Sequence, residues 1–113
     1  MAINSREKGR KGEAELAKIL REHGYEARRG QQFCGANGDA DVVGLPGYHI
    51  ECKRVEKLNL EAAIEQSKRD ARQGEIPIVV HRKNRQEWQV TISLEAFLEI
   101  IKAKEEASEI PKE

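Results

Sequence analysis

The stretch Gly38-Asp39-Ala40-Asp41-Val42-Val43-Gly44-Leu45-Pro46-Gly47-Tyr48-His49-Ile50-Glu51-Cys52-Lys53 decides how the rest of the chain is read. Two strand-like runs, 41–44 and 48–53, flank Leu45-Pro46-Gly47, and a Pro-Gly dipeptide favours a tight reversal, so a hairpin is predicted. Residues two apart in a strand share a face. Glu51 and Lys53 therefore project together, while Ile50 and Cys52 point the opposite way. Pairing across the turn brings Asp41 toward Glu51, which gathers two carboxylates and an ammonium group. Two adjacent carboxylates repel unless a proton or cation intervenes, and hard oxygen ligands suit Mg2+ or Mn2+. Asp39 is a second acidic candidate. Asp41 is preferred because it directly precedes the apolar Val42-Val43 pair, whereas an Asp after Gly38 more often serves a turn.

Working outward, Leu16, Ile19 and Leu20 recur at helical spacing between about Arg6 and His23, and Gly24 stands where a helix stops. Tyr25 to Arg29 reads as a short strand, and Gly30 to Gly38 as a glycine-rich loop. Beyond the hairpin, Asn59 can cap a second helix running to about Gln73, with Leu60, Ala63, Ile64, Ser67 and Ala71 on one face. Ile76 to His81 is a buried strand, Lys83-Asn84-Arg85 a turn, and Glu87 to Ile92 a strand placing Trp88, Val90 and Ile92 on one side. Ser93 then caps a third helix with the stripe Leu94, Phe97, Leu98 and Ile101. The order α-β-β-β-α-β-β-α predicts an α/β fold, a mixed central sheet flanked by helices.

The chain of 113 residues has room for one domain, here expected over 1–113, with a basic arm over about 1–8 and a frayed tail over about 108–113. Hydrophobic residues are 38% and charged residues 35% with no net charge, a balance that predicts folding and argues against disorder. No apolar run is long enough to cross a bilayer and the start is polar, so a soluble, cytoplasmic protein is expected. Cys34 and Cys52 form no CxxC pair and read as reduced thiols; with the three histidines they show no zinc-ligand spacing. No phosphate-cradling G-x-x-x-x-G-K-[ST] loop is present. The zero balance conceals a pattern. Residues 31–52 carry three acidic and no basic side chains, while 1–30 and 53–85 carry net charges of +3 and +4. An acidic island between basic blocks suits a cation followed by a polyanion.

Asp41, Glu51 and Lys53 on a hairpin after a first helix resemble the signature of the PD-(D/E)XK nuclease superfamily, and the element order is similar to its restriction-endonuclease-like core. Arg10-Lys11-Gly12 leading into a helix that ends at His23-Gly24-Tyr25 is more specifically similar to the archaeal-type Holliday junction resolvases. The resemblance covers roughly residues 8 to 82. Ala40 stands where the family often has proline, and the loop from Gly30 to Gly38 differs from the resolvases' shorter segment.

The resemblance implies that Asp41 and Glu51 hold Mg2+, with Mn2+ able to substitute, that the Cys52 carbonyl is a further ligand, and that Lys53 orients or helps deprotonate the attacking water. It also implies a glutamate from the first helix, reaching the metal through water. Glu13 and Glu15 both qualify. Helical geometry favours Glu13, which falls beside Leu16 and Leu20, while Glu15 falls at the stripe's margin near Ile19. His49 is a neighbour on the Glu51 face, without a role that a hard cation requires. His23 and His81 read as packing or surface residues.

The implied activity is hydrolysis of DNA phosphodiesters by a homodimer acting on branched DNA, in recombination or repair. Arg6, Lys8, Arg10, Lys11, Arg28 and Arg29 are candidates for phosphate contact, joined by Arg82, Lys83 and Arg85, and Gln66 and Lys68 are candidates on the second helix. Two other readings use the same residues. One is a restriction, repair or phage-type endonuclease on duplex or nicked DNA. The other is a DNA-binding module without catalysis; with five aromatic residues, it would grip backbone rather than stack bases.

Overall fold

The computed structural model describes residues 5–31 and 40–108. Their elements are α1 (Ser5–Glu22), β1 (Arg28–Arg29), β2 (Val42–Val43), β3 (Tyr48–Arg54), α2 (Leu60–Asp70), β4 (Ile76–Arg82), β5 (Gln89–Thr91) and α3 (Leu94–Ser108). The predicted element order is found, with shorter strands at the sheet edges. Helix α1 begins at Ser5, so residues 5–8 of the expected arm form its first turn. Cys34, Asp39 and most of the Gly30–Gly38 loop lie outside the described residues, as do 109–113 of the expected tail.

The five strands form one sheet in chain order, antiparallel except for β3 and β4, which pair in parallel from Tyr48↔Ile76 to Arg54↔Arg82. A parallel pair needs a crossover, and α2 supplies it. This is the mixed, helix-flanked sheet of the restriction-endonuclease-like fold. Alternation along β3 and β4 sorts the side chains. Ile50, Cys52, Ile78 and Val80 join Leu16 and Ala17 of α1 in the main core with Ala27 and Val42. His49, Glu51 and Lys53 take the other face, where α2 buries Ala63 and Ser67. Burying eight apolar side chains on the α1 side stabilises the sheet at ~25 cal/mol per Å² of apolar surface. The polar face of β3 gains nothing comparable, so another role must account for it.

Local contacts fix the helices. The Asn59 side chain accepts a hydrogen bond from the Ala62 amide at 3.1 Å, and the Ser93 hydroxyl accepts from the Ala96 amide at 3.1 Å, so both predicted caps form. Gly12 is buried where α1 crosses the end of β3, and a Cβ there would sit 2.5 Å from the Cβ of Arg54. Only glycine permits that approach. Gly44 combines φ +112° with contact against the Glu26 carbonyl, so a side chain would be excluded twice over between β1 and β2.

Two expectations require correction. The stripe on α3 is not core: Leu94 is 71% exposed, Leu98 53% and Phe97 47%, and of the helix only Ala96 is buried. Helical periodicity identifies an apolar face but not what covers it. Val90 is also 59% exposed, although Trp88 and Ile92 on its side do pack against the core, because β5 is a three-residue edge strand among the described residues.

Candidate active site

The hairpin register places the acidic pair. Val42 opposes Ile50, so the antiparallel alignment continued by one step sets Asp41 across from Glu51. Asp41 anchors itself there: its amide donates to the Ile50 carbonyl at 3.1 Å, and its Oδ2 accepts from the Cys52 amide at 2.8 Å. Glu51 is 3% exposed on the central strand β3, and Lys53 Nζ lies 3.6 Å from its Oε2. Two acids, an amine and a strand edge thus meet at the mouth of the hairpin.

Electrostatics show how crowded this position is. Burial pushes the Glu51 carboxyl up to about 7, the nearby Asp41 charge pushes the same way, and Lys53 opposes both. Burial also raises the Asp41 carboxyl, against the Cys52 amide and Lys53, while Glu51 in its acid form donates a hydrogen bond to it. Both carboxyls therefore resist ionisation in the metal-free protein. The Cys52 thiol is pushed far up by burial, then by Asp41, Glu13 and Glu51, so it stays a buried, inert thiol.

Helical geometry on α1 separates the two glutamates. Glu13 is partly buried, accepts a hydrogen bond from Arg29 Nε at 3.1 Å, and has a carboxyl raised chiefly by burial, with Asp41 and Lys53 among its charged neighbours. Glu15 faces elsewhere. It takes Arg82 Nε at 2.8 Å and Nη2 at 3.2 Å, plus the Trp88 indole at 2.8 Å, with the guanidinium 5.6 Å over the Trp88 ring. The Arg82 hydrogen bond holds Glu15 below the usual carboxylate range, and the cluster clamps α1 to β4 and β5. This binds Arg82, one of the phosphate candidates, into the fold itself.

A third direction was missed from sequence. His49 Nε2 lies 4.0 Å from Glu51 Oε1, and ligand atoms of His49, Glu51 and Asp70 all fall within 4.8 Å of one another, a group able to coordinate a divalent ion. It is the one such group of three found among the described residues; Glu13 has Asp41 and Lys53 as charged neighbours and accepts from Arg29. His49 is thus the expected neighbour on the Glu51 face, and its nitrogen adds a donor beside the acids. Asp70 had a signal that spacing alone could not use: a crossover helix runs back against its strands, so the end of α2 returns over the start of β3. The buried Glu51 carboxyl, the exposed Asp70 carboxyl and a buried imidazole nitrogen without a hydrogen-bond partner form a donor set that fits a divalent cation.

The remaining candidates are dispersed. Arg6, Arg10 and Lys11 are exposed on α1, with Lys11 4.0 Å from Glu7, and Lys8 is partly buried 3.7 Å from Glu56. Arg28 and Arg29 lie exposed on the edge strand β1. Gln66 is partly buried on α2. Lys68 is exposed and lines a cavity with Ile64, Pro77 and Val79. His23 is exposed and its Nδ1 lies 2.8 Å from the Ile19 carbonyl; His81 Nε2 lies 2.9 Å from the Thr91 hydroxyl. Both serve structure, as expected. No helix among the described residues is long and apolar enough to cross a membrane.

Three comparisons bear on this geometry. A family model described as a phage putative PDDEXK endonuclease matches residues 4–111. The solved structure of Hjc from Archaeoglobus fulgidus, a Holliday junction resolvase from an archaeal hyperthermophile, is 27% identical, with a TM-score of 0.57 over 75% of this chain and 72% of that one. No curated protein matches.

Proposed function

Since the chain belongs to the phage putative PDDEXK endonuclease family, we propose that it is a Mg2+-dependent endonuclease cutting branched DNA, with Asp41, Glu51, Lys53 and Glu13 as its machinery. One observation carries the reading: the Asp41 carboxyl, anchored on the Cys52 amide, stands across the hairpin from buried Glu51, whose Oε2 lies 3.6 Å from the Lys53 ammonium, a crowding of like groups that a cation relieves. Asp41, Glu51 and the Cys52 carbonyl would hold the ion, with Glu13 reaching it through water. The ion, when bound, polarises a non-bridging phosphate oxygen and lowers the pKa of water. Lys53 places its ammonium against the phosphate, where it balances developing charge and steers the attacking water. Arg29 keeps Glu13 oriented. Exposed Arg6, Arg10, Lys11 and Arg28 supply phosphate contacts that weaken with salt.

The branched-DNA part of the reading draws on the likeness to a structure titled as a Holliday junction resolvase. The other reading, a phage-type enzyme on duplex or nicked DNA, draws on the family description. With Mg2+, four-way junctions are expected to be cut at least tenfold faster than flap, nicked or linear duplex of the same sequence. Equal cutting of all four removes branch specificity, and absence of cutting with either Mg2+ or Mn2+ removes the enzyme.

Paired cuts across a junction need two active sites related by a two-fold axis, so we also propose a homodimer. Its surface is the open stripe of α3, Leu94, Phe97, Leu98 and Ile101. Antiparallel pairing of two such helices sets Glu95 of one near Lys102 of the other, a favourable match. Light scattering of the wild type is expected to give twice the 12.8 kDa chain mass, and the double substitution Phe97→Glu, Leu98→Glu to give the single mass. A monomeric wild type overturns the dimer and leaves the hydrolytic reading standing.

A further inference from the structure

We propose that Glu51 stands between two cation positions: a hard-ion position toward Asp41, and a second one, made by His49 Nε2, Glu51 and Asp70, that takes a nitrogen-accepting divalent ion of the Mn2+, Co2+ or Zn2+ kind. The proposal rests on the nuclease reading only in assigning Asp41 to the first position. The second stands on its own geometry.

The imidazole is the decisive group. His49 is 4% exposed, and its Nε2 is the one buried side-chain nitrogen or oxygen without a hydrogen-bond partner among the described residues. Leaving a buried polar nitrogen unsatisfied is costly, so a fold that keeps one beside its acids has a use for it. It faces Glu51 Oε1 at 4.0 Å, too long for a hydrogen bond. Metal–ligand bonds of ~2.1 Å put neighbouring donors ~3 Å apart and opposed donors ~4.2 Å apart, and the three donor atoms here lie within 4.8 Å of one another, close to that range.

On the far side of the ring, Glu75 Oε1 lies 3.6 Å from Nδ1, an ion-pair distance and not a hydrogen bond, and is itself held by the Arg72 amide at 2.8 Å. A carboxylate beside the second nitrogen favours the tautomer in which Nε2 offers its lone pair. Tyr48, His49, Arg72 and Glu75 also line an open cavity of about 490 Å³ on the Glu75 side of the ring.

The donor chemistry separates the two positions. Toward Asp41 all ligands are oxygens, which Mg2+ accepts. Toward Asp70 one ligand is imidazole nitrogen, which Mg2+ accepts poorly and later first-row ions accept well. Glu51, with one oxygen facing Lys53 and the other His49, can serve both sides.

The test is a Co2+ titration of the full chain followed by visible absorption and calorimetry, with 15N histidine spectra recorded in Zn2+. Wild type is expected to take two Co2+, Asp70→Asn one and Asp41→Asn one. The His49 ring resonances are expected to shift with Zn2+ in wild type and Asp41→Asn but not in Asp70→Asn. Asp70 is exposed, so its substitution leaves folding intact, whereas His49→Gln may be compared only after its circular dichroism matches wild type. A single Co2+ per chain, or two retained by Asp70→Asn, overturns the second position. DNA cleavage with Mg2+ is read separately: loss of cleavage with two ions still bound sinks the nuclease reading and spares this one.

Discussion

Asp41→Asn is expected to lower Mg2+-dependent cleavage by on the order of 10³-fold, ~4 kcal/mol of transition-state stabilisation, while leaving DNA affinity unchanged or slightly higher. The substitution is close to isosteric, and its amide oxygen can still accept from the Cys52 amide, so the hairpin keeps its anchor. What disappears is a charge. With a neutral side chain opposite Glu51, the oxygen set loses its attraction for a cation, and the Glu51 carboxyl loses the neighbour that, after burial, most raises it. Removing a negative group beside a bound polyanion also cannot weaken binding through charge. Cleavage rates on a labelled substrate, together with gel-shift affinities measured in Ca2+, separate the two effects. Undiminished cleavage means that catalysis lies elsewhere; loss of cleavage and binding together means that Asp41 holds the fold.

That substitution could be chosen from sequence because the hairpin is a local object. A Pro-Gly turn fixes a register, register fixes which residues oppose, and period-two alternation sends Glu51 and Lys53 the same way. Asn59 and Ser93 were legible as caps for a similar reason, since each acts within a single turn of its helix. At 100° per residue Glu13 and Glu15 fall at different angles on α1, which is why their partners in the fold differ. Groups brought together by packing were not legible. Arg29 reaches Glu13 from an edge strand, Arg82 and Trp88 reach Glu15 from the far side of the sheet, and Asp70 reaches His49 only after α2 has crossed over. The α3 stripe exposes the same limit from the other direction. Its pattern is that of a buried helix, yet nothing within the described chain covers it beyond Ala96.

The crowded carboxyls also give the protein an unusual response to pH. A carboxyl raised in the folded state, as Glu51 is from 4.5 to about 7, binds more protons folded than unfolded between those values. Its contribution to stability is complete below pH 4.5 and is lost as pH rises through about 7. Asp41 and Glu13, both raised by burial, act with the same sign. Glu15 is lowered and acts in the opposite sense, its contribution fading only as pH falls below 4.5. The metal-free protein is therefore expected to be most stable near pH 5 and to lose on the order of 3 kcal/mol by pH 8, roughly 10 °C in Tm. Mg2+ competes with protonation of the raised Glu51 carboxyl, so it should add little at pH 5 and progressively more above 7, flattening the profile. Calorimetry at pH 6 in buffers of different ionisation enthalpy should then show about one proton released per ion bound, falling toward none at pH 8.5. A metal-free Tm that rises from pH 5 to 8, or Mg2+ binding without proton release at pH 6, would mean that Glu51 is already ionised in the free protein and that the pair is held apart by Lys53 alone.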